Sequence, residues 1–163
     1  YSLVQRLDRR NGQKSGGVLI FVDSDREGSI THLRDGTGVD ERIWALIHTN
    51  LGPVLLCSWY RPPGDAESEE IARFQQELEE LRPGAMGVIM VGDVNVHHEG
   101  WLEFSSHTSA VGRQLRSVAW DEGLDQCVKA PTRGPHLLDL VLTDMAVKTK
   151  VTCKVADHNP VEV

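Results

Sequence analysis

Apolar and polar positions change period along the chain, and the changes lay out its elements. After Gly16-Gly17 the run Val18-Leu19-Ile20-Phe21-Val22 is continuous, apolar and rich in β-branched residues, which predicts a strand buried on both faces. Residues 29–33 predict a second strand. Residues 42–49 and 53–60 are apolar-rich runs separated only by Asn50-Leu51-Gly52, the pattern of a hairpin. Arg61-Pro62-Pro63-Gly64 then interrupts regular structure. Ile71, Phe74, Leu78 and Leu81 fall at helical spacing with acids on the opposite face, and Pro83-Gly84 stops that helix. Residues 87–92 read as another buried strand, ending at Asp93. A second helix is expected over 109–122, capped by Thr108 or Ser109, with Val111, Leu115, Val118 and Ala119 on one face and Gly123 as terminator. Strands over 124–128, 137–143 and 147–155 complete the set. Many strands with two helices and no strict βαβ alternation predict an α+β or layered sandwich core. No repeat, low-complexity tract or linker divides residues 1–163, which read as a single domain.

Composition narrows the class. The chain has 163 residues, 40% apolar and 25% charged, which fits one globular core and excludes a disordered, collagenous or disulfide-scaffold chain. No apolar run approaches the roughly 18 residues a membrane span needs, and no charged-then-apolar leader is present. The first residue is Tyr1, so a piece of a longer or processed product is expected. A net charge of −7 argues against a phosphate-binding surface until the charge is located. Asp65, Glu67, Glu69, Glu70, Glu77, Glu79 and Glu80 face Arg73 alone, and the remainder of the chain is nearly neutral. That acidic run is expected to be a solvated face, and a basic face elsewhere stays open. Cys57, Cys127 and Cys153 are widely spaced with no C-x-x-C pair. They suggest neither a disulfide framework nor a cysteine zinc site, so the expected compartment is reducing and intracellular.

Chemistry concentrates at strand ends. Gly92-Asp93-Val94-Asn95 follows an apolar strand; in extended chain Asp93 and Asn95 point the same way, one to orient a water, the other to bond a phosphate oxygen. The competing reading is an Asx turn. Asp157-His158-Asn159-Pro160 supplies an imidazole for acid–base work beside a carboxylate suited to a cation. Asp139 lies inside the apolar run 137–142 and demands a partner, for which His158 would serve. Tyr60 and Arg61 at a strand end suit a phosphate, and Thr132 and Arg133 offer a hydroxyl and a second guanidinium. His97-His98 invites a zinc reading, but neighbouring histidines on a strand point apart.

In order along the chain, G-G-V at 16–18, W-Y-R-P-P at 59–63, G-D-V-N-V-H-H at 92–98, P-T-R at 131–133, L-D-L at 138–140 and D-H-N-P at 157–160 resemble the endonuclease/exonuclease/phosphatase superfamily. The resemblance is greatest to the apurinic-type endonuclease domain of non-LTR (LINE-type) retrotransposon reverse transcriptase polyproteins. It implies a four-layered α/β sandwich with the site between two β-sheets, and hydrolysis of DNA phosphodiesters with Mg²⁺. Carried over by position, His158 matches the histidine paired with a carboxylate, here Asp139. Asp93 matches the acid that aligns water or serves the leaving group. Asn95 matches the phosphate-binding amide, Tyr60 the phosphate-contacting tyrosine and Asp157 a position near the metal. Arg61, Thr132 and Arg133 are the implied DNA contacts.

In that family two strands precede G-G-V and supply an Asn and the main Mg²⁺-binding Glu. Only sixteen residues precede Gly17 here, with Asp8 as their one acid, so the first strands and the last are expected to be missing. Two readings stand. In one the chain is most of a nuclease domain, nuclear if part of a working retroelement protein. In the other it is an inactive, domesticated nuclease-like fold acting as a structural subunit among protein partners that cover open sheet edges. A phosphatase of small phosphoesters is a weaker third.

Overall fold

The computed structural model describes residues 1–9, 16–153 and 156–163. Its central element is a mixed six-stranded sheet. The hairpin of β4 (Glu41–Thr49) and β5 (Gly52–Tyr60) forms as expected, flanked by β3 (Ile30–Asp35). β6 (Gly87–Asp93) runs parallel to β5 and antiparallel to β8 (Asp139–Thr143), and the short β7 (Asp125–Gln126) closes that edge. Helix α1 (Glu69–Leu81) is capped by Ser68, and α2 (Ala110–Asp121) by Ser109, whose hydroxyl accepts from the Gly112 N–H. Both helices pack on one face of the sheet over Trp44, Leu55, Cys57, Val88 and Met90. None of the described helices is long and apolar enough to cross a membrane.

The other face carries a small sheet. β1 (Ser2–Asp8) pairs antiparallel with β2 (Gly17–Val22), and Leu7, Val18 and Ile20 pack on Ile43 and Ala45 of β4. β4 therefore feeds two cores, with Trp44 turned to the helices and its neighbours to the small sheet. The architecture is the expected α+β sandwich, of which the described residues supply three layers.

Several local expectations change. β1 has no counterpart in the sequence reading, because its register shifts between Leu3 and Gln5 and the bulge breaks the alternation of two. β2 is not buried on both faces: Leu19 and Phe21 are 50% and 53% exposed, since nothing described covers the outer side of the small sheet. Residues 124–128 and 147–155 shorten to Asp125–Gln126 and to β9 (Lys150–Val151), which pairs with β10 (Val161–Glu162); residues 154–155 lie outside the described ones. The acidic run is not wholly solvated either. Glu70 and Glu77 lie on the buried side of α1, where they face the fully buried Arg42.

Candidate active site

The register of β6 against β8 sets Asp93 directly opposite Asp139. Like charges across an antiparallel pair repel, so the arrangement needs a third group. His158 provides it: Nδ1 donates to Asp139 Oδ2 at 2.7 Å, and Nε2 faces Asp93 Oδ2 at 3.7 Å. These three form the one cluster of potential metal-ligating side chains found among the described residues, with ligand atoms within 4.8 Å of each other. Burial pushes the Asp93 carboxyl up to about 6, Asp139 adds to this, and His158 and Asn95 oppose it. One Asp93 oxygen, Oδ1, is buried without a partner. A cavity of about 360 Å³ opens beside the cluster, with Ser58, Val91 and Pro160 in its wall.

Two motifs hold this cluster in place from behind. Thr132 is fully buried, and its hydroxyl accepts from the N–H groups of Leu138 and Asp139 at 3.1 and 3.0 Å. Its carbonyl accepts from the Asn159 N–H at 2.7 Å, next to His158. One threonine thus fixes both members of the Asp139–His158 pair, and its place is structural, not at a DNA surface. Arg61 is likewise 4% exposed. Its guanidinium donates to the carbonyls of Pro62, Gly64, Val94 and Asn95, and its own N–H donates to the Asp93 carbonyl at 2.9 Å. It clamps the loop that follows Asp93, so the expectation of a DNA-contacting Arg61 gives way to a positioning one.

Asn95 also departs from the extended chain assumed for it. Its φ of 47° places it in the left-handed region, and Nδ2 donates to the Arg61 carbonyl at 2.9 Å. The amide thus secures the loop, while the Asn95 side chain and backbone also hydrogen-bond Asp93, which helps hold that carboxyl down. Asp157 stands outside the cluster, exposed and paired with Arg133 at 3.3 Å. Arg133 remains half exposed and accessible to a phosphate. Tyr60 is partly buried, with the Arg9 guanidinium 4.8 Å above its ring.

The glycine of G-D has a steric cause: a Cβ at Gly92 would lie 1.7 Å from the Trp59 carbonyl oxygen, where β6 crosses close to β5. Sequence reasoning missed Asp40, which is buried and accepts from Trp59 Nε1 at 3.1 Å, and Glu41, which accepts from Arg9 Nε at 2.9 Å. No periodic signal marks either. The two adjacent histidines do point apart: His97 meets His107 and His136 at ring distances of 4.4 and 5.7 Å, while His98 faces Trp101.

A family profile described as "Endonuclease-reverse transcriptase" matches residues 54–162. No curated protein matches the sequence. Among solved structures, the endonuclease domain of TRAS1, a telomere-specific non-LTR retrotransposon, superposes with a TM-score of 0.67 at 19% identity, covering 81% of this chain. The chain spans 64% of that domain's length. A mannosyl-6-phosphatase of Bacteroides thetaiotaomicron gives 0.61 at 14% identity, covering 96% of this chain and 74% of its own. The inositol polyphosphate 5-phosphatase domain of a synaptojanin, complexed with inositol (1,4)-bisphosphate and calcium, gives 0.53 at 14%, covering 98% and 60%. At these identities the structures establish a shared fold.

Proposed function

Because the chain belongs to the endonuclease-reverse transcriptase family, we propose that it hydrolyses DNA phosphodiesters with the help of a divalent cation. The observation that carries this reading is the convergence of Asp93, Asp139 and His158 at facing strand ends beside an open cavity. With Asp139 accepting from Nδ1, the free nitrogen of His158 is Nε2, placed to take a proton from a water that Asp93 orients. Arg133 is the accessible guanidinium near the pair for a DNA phosphate, and Tyr60 offers its phenol at the end of the neighbouring strand.

Mg²⁺ suits the donor set. Two carboxylates face each other, and the buried Asp93 Oδ1 lacks any partner, which is the environment a hard cation relieves. Asp93 and Asp139 would hold it, and when bound it would offset the negative charge that builds on the phosphate.

Supercoiled and abasic duplexes incubated with the chain in Mg²⁺ test the reading. Nicking that EDTA abolishes, and that His158→Ala and Asp93→Ala each reduce at least 100-fold, is expected. Absence of nicking, or nicking indifferent to both substitutions, overturns it. One observation favours the subunit reading: Leu3, Leu19 and Phe21 expose an apolar patch on the outer face of the small sheet. A monodisperse, soluble monomer that nicks DNA would remove the need for it.

A further inference from the structure

A second cavity, about 420 Å³, opens on the outer side of α2 and is lined by His98, Arg113, Arg116, Ser117 and Trp120. It shares no residue with the Asp93–Asp139–His158 cluster or with the cavity beside it. The four helical residues follow the spacing i, i+3, i+4 and i+7, so they form one solvent-facing stripe opposite the core positions Val111, Leu115 and Val118. Solvent stripes in a chain of net charge −7 would be expected to carry acids. This one carries two guanidiniums and an indole.

Those guanidiniums are not neutralised. Arg6, Arg9, Arg34, Arg42, Arg73, Arg82 and Arg133 each meet a carboxylate. Among the described residues Arg113 and Arg116 meet none, and the one side-chain hydrogen bond of the two runs from Arg113 to the Thr108 carbonyl. Trp120 is 83% exposed, whereas Trp44 and Trp59 are buried in the core. His98 contributes the buried wall: it is 8% exposed, and its Nδ1 is buried with no partner. Burial and the nearby Arg116 and Arg113 hold its imidazole below the usual range, with Glu99 opposing, so it enters the site as a neutral group that can both donate and accept.

From this placement we infer that the α2 cavity binds a single-stranded nucleic acid segment, one base stacking on Trp120 while Arg113 and Arg116 take the adjoining phosphates. An exposed indole beside two forked cations matches a ligand that is planar and polyanionic at once. Bases inside a duplex are already stacked and cannot use it. An acidic peptide would satisfy the arginines but leave the indole without a planar partner.

Fluorescence anisotropy of a labelled oligothymidylate of about eight nucleotides, in EDTA so that no cation-dependent hydrolysis takes part, tests the site. Because cleavage is not read, a chain with no nuclease activity tests it equally. Trp120→Ala is expected to weaken binding about ten-fold. The double variant Arg113→Gln/Arg116→Gln is expected to lower the slope of log affinity against log salt by about 1.4, two phosphates at roughly 0.7 each. All three residues face solvent, so circular dichroism should match the parent. The inference is overturned if both variants bind like the parent, or if a duplex or a polyglutamate peptide of equal length binds more tightly than the oligothymidylate.

Discussion

Glu77→Gln is the substitution whose consequence follows most directly from the structure. The Glu77 carboxylate accepts from the Thr37 N–H at 2.6 Å, the Thr37 hydroxyl at 2.7 Å, Trp44 Nε1 at 2.7 Å, and two Arg42 nitrogens at 2.8 and 3.2 Å. Arg42 is fully buried, lies 4.9 Å over the Trp59 ring and has Nη1 without a partner. A carboxamide keeps the shape but turns an NH₂ toward donors and removes the nearer of the two carboxylates that face the guanidinium, leaving Glu70 at 3.7 Å. Breaking a buried pair from one side costs about 3–5 kcal/mol.

A second route gives a similar size. Burial alone would raise the Glu77 carboxyl, but hydrogen bonds and charge from Arg42, joined by Thr37 and Trp44, hold it at about 2 against an ordinary 4.5. That displacement corresponds to about 3 kcal/mol. Because the folded value is the lower one, the stability is present above pH 4.5 and is lost as pH falls through 2. Urea denaturation of parent and variant at pH 7 and pH 3 reads both features: a gap of about 3–5 kcal/mol at pH 7 that narrows at pH 3. A gap below about 1 kcal/mol, or one equal at the two pH values, refutes the charge argument. The paired swap Arg42→Met/Glu77→Leu should recover part of the loss, since it removes the Arg42 charge together with the nearer of its two carboxylate partners.

Asp40, buried and raised to about 6 mainly by burial, has the opposite sign: the folded state binds its proton more tightly, so stability declines as pH rises from about 4 to 6. Asp40→Asn should therefore add about 1–3 kcal/mol at pH 7 and little at pH 3.5, read by thermal melts; equal effects at both would contradict this. Thr132→Val leaves the Leu138 and Asp139 N–H groups unpaired and should cost about 2–4 kcal/mol. It should also depress nicking more than denaturation explains, because Asp139 loses its anchor. Since Asp93 is raised to about 6, nicking should fall as pH drops below that value, and more Mg²⁺ should shift the fall to lower pH. A rate flat from pH 5 to 8 would count against Asp93 acting as an anion.

The sequence alone was enough for most elements and for the pairing of Asp139 with His158. Long periodic runs placed α1, α2, the β4–β5 hairpin and β6 close to their observed limits, since periodicity reports which side of an element meets the core. The apolar setting of Asp139 demanded a partner, and His158 supplies it. Side-chain direction was not legible in the same way. Arg61 and Thr132 sit in loop motifs that look like phosphate contacts, yet both turn inward because buried carbonyls and N–H groups of other loops must be satisfied there. Glu77 occupies a core position of α1 only because Arg42 and Trp44 bring donors from a strand 33–35 residues away. The bulge in β1 erased its alternation. The opposition of Asp93 and Asp139 depends on the β6–β8 register, and the Arg113–Trp120 stripe becomes a cavity only when His98 closes it from another loop. Local pattern fixes which residues are chemically able to act, whereas hydrogen-bond partners distant in sequence decide where those residues point.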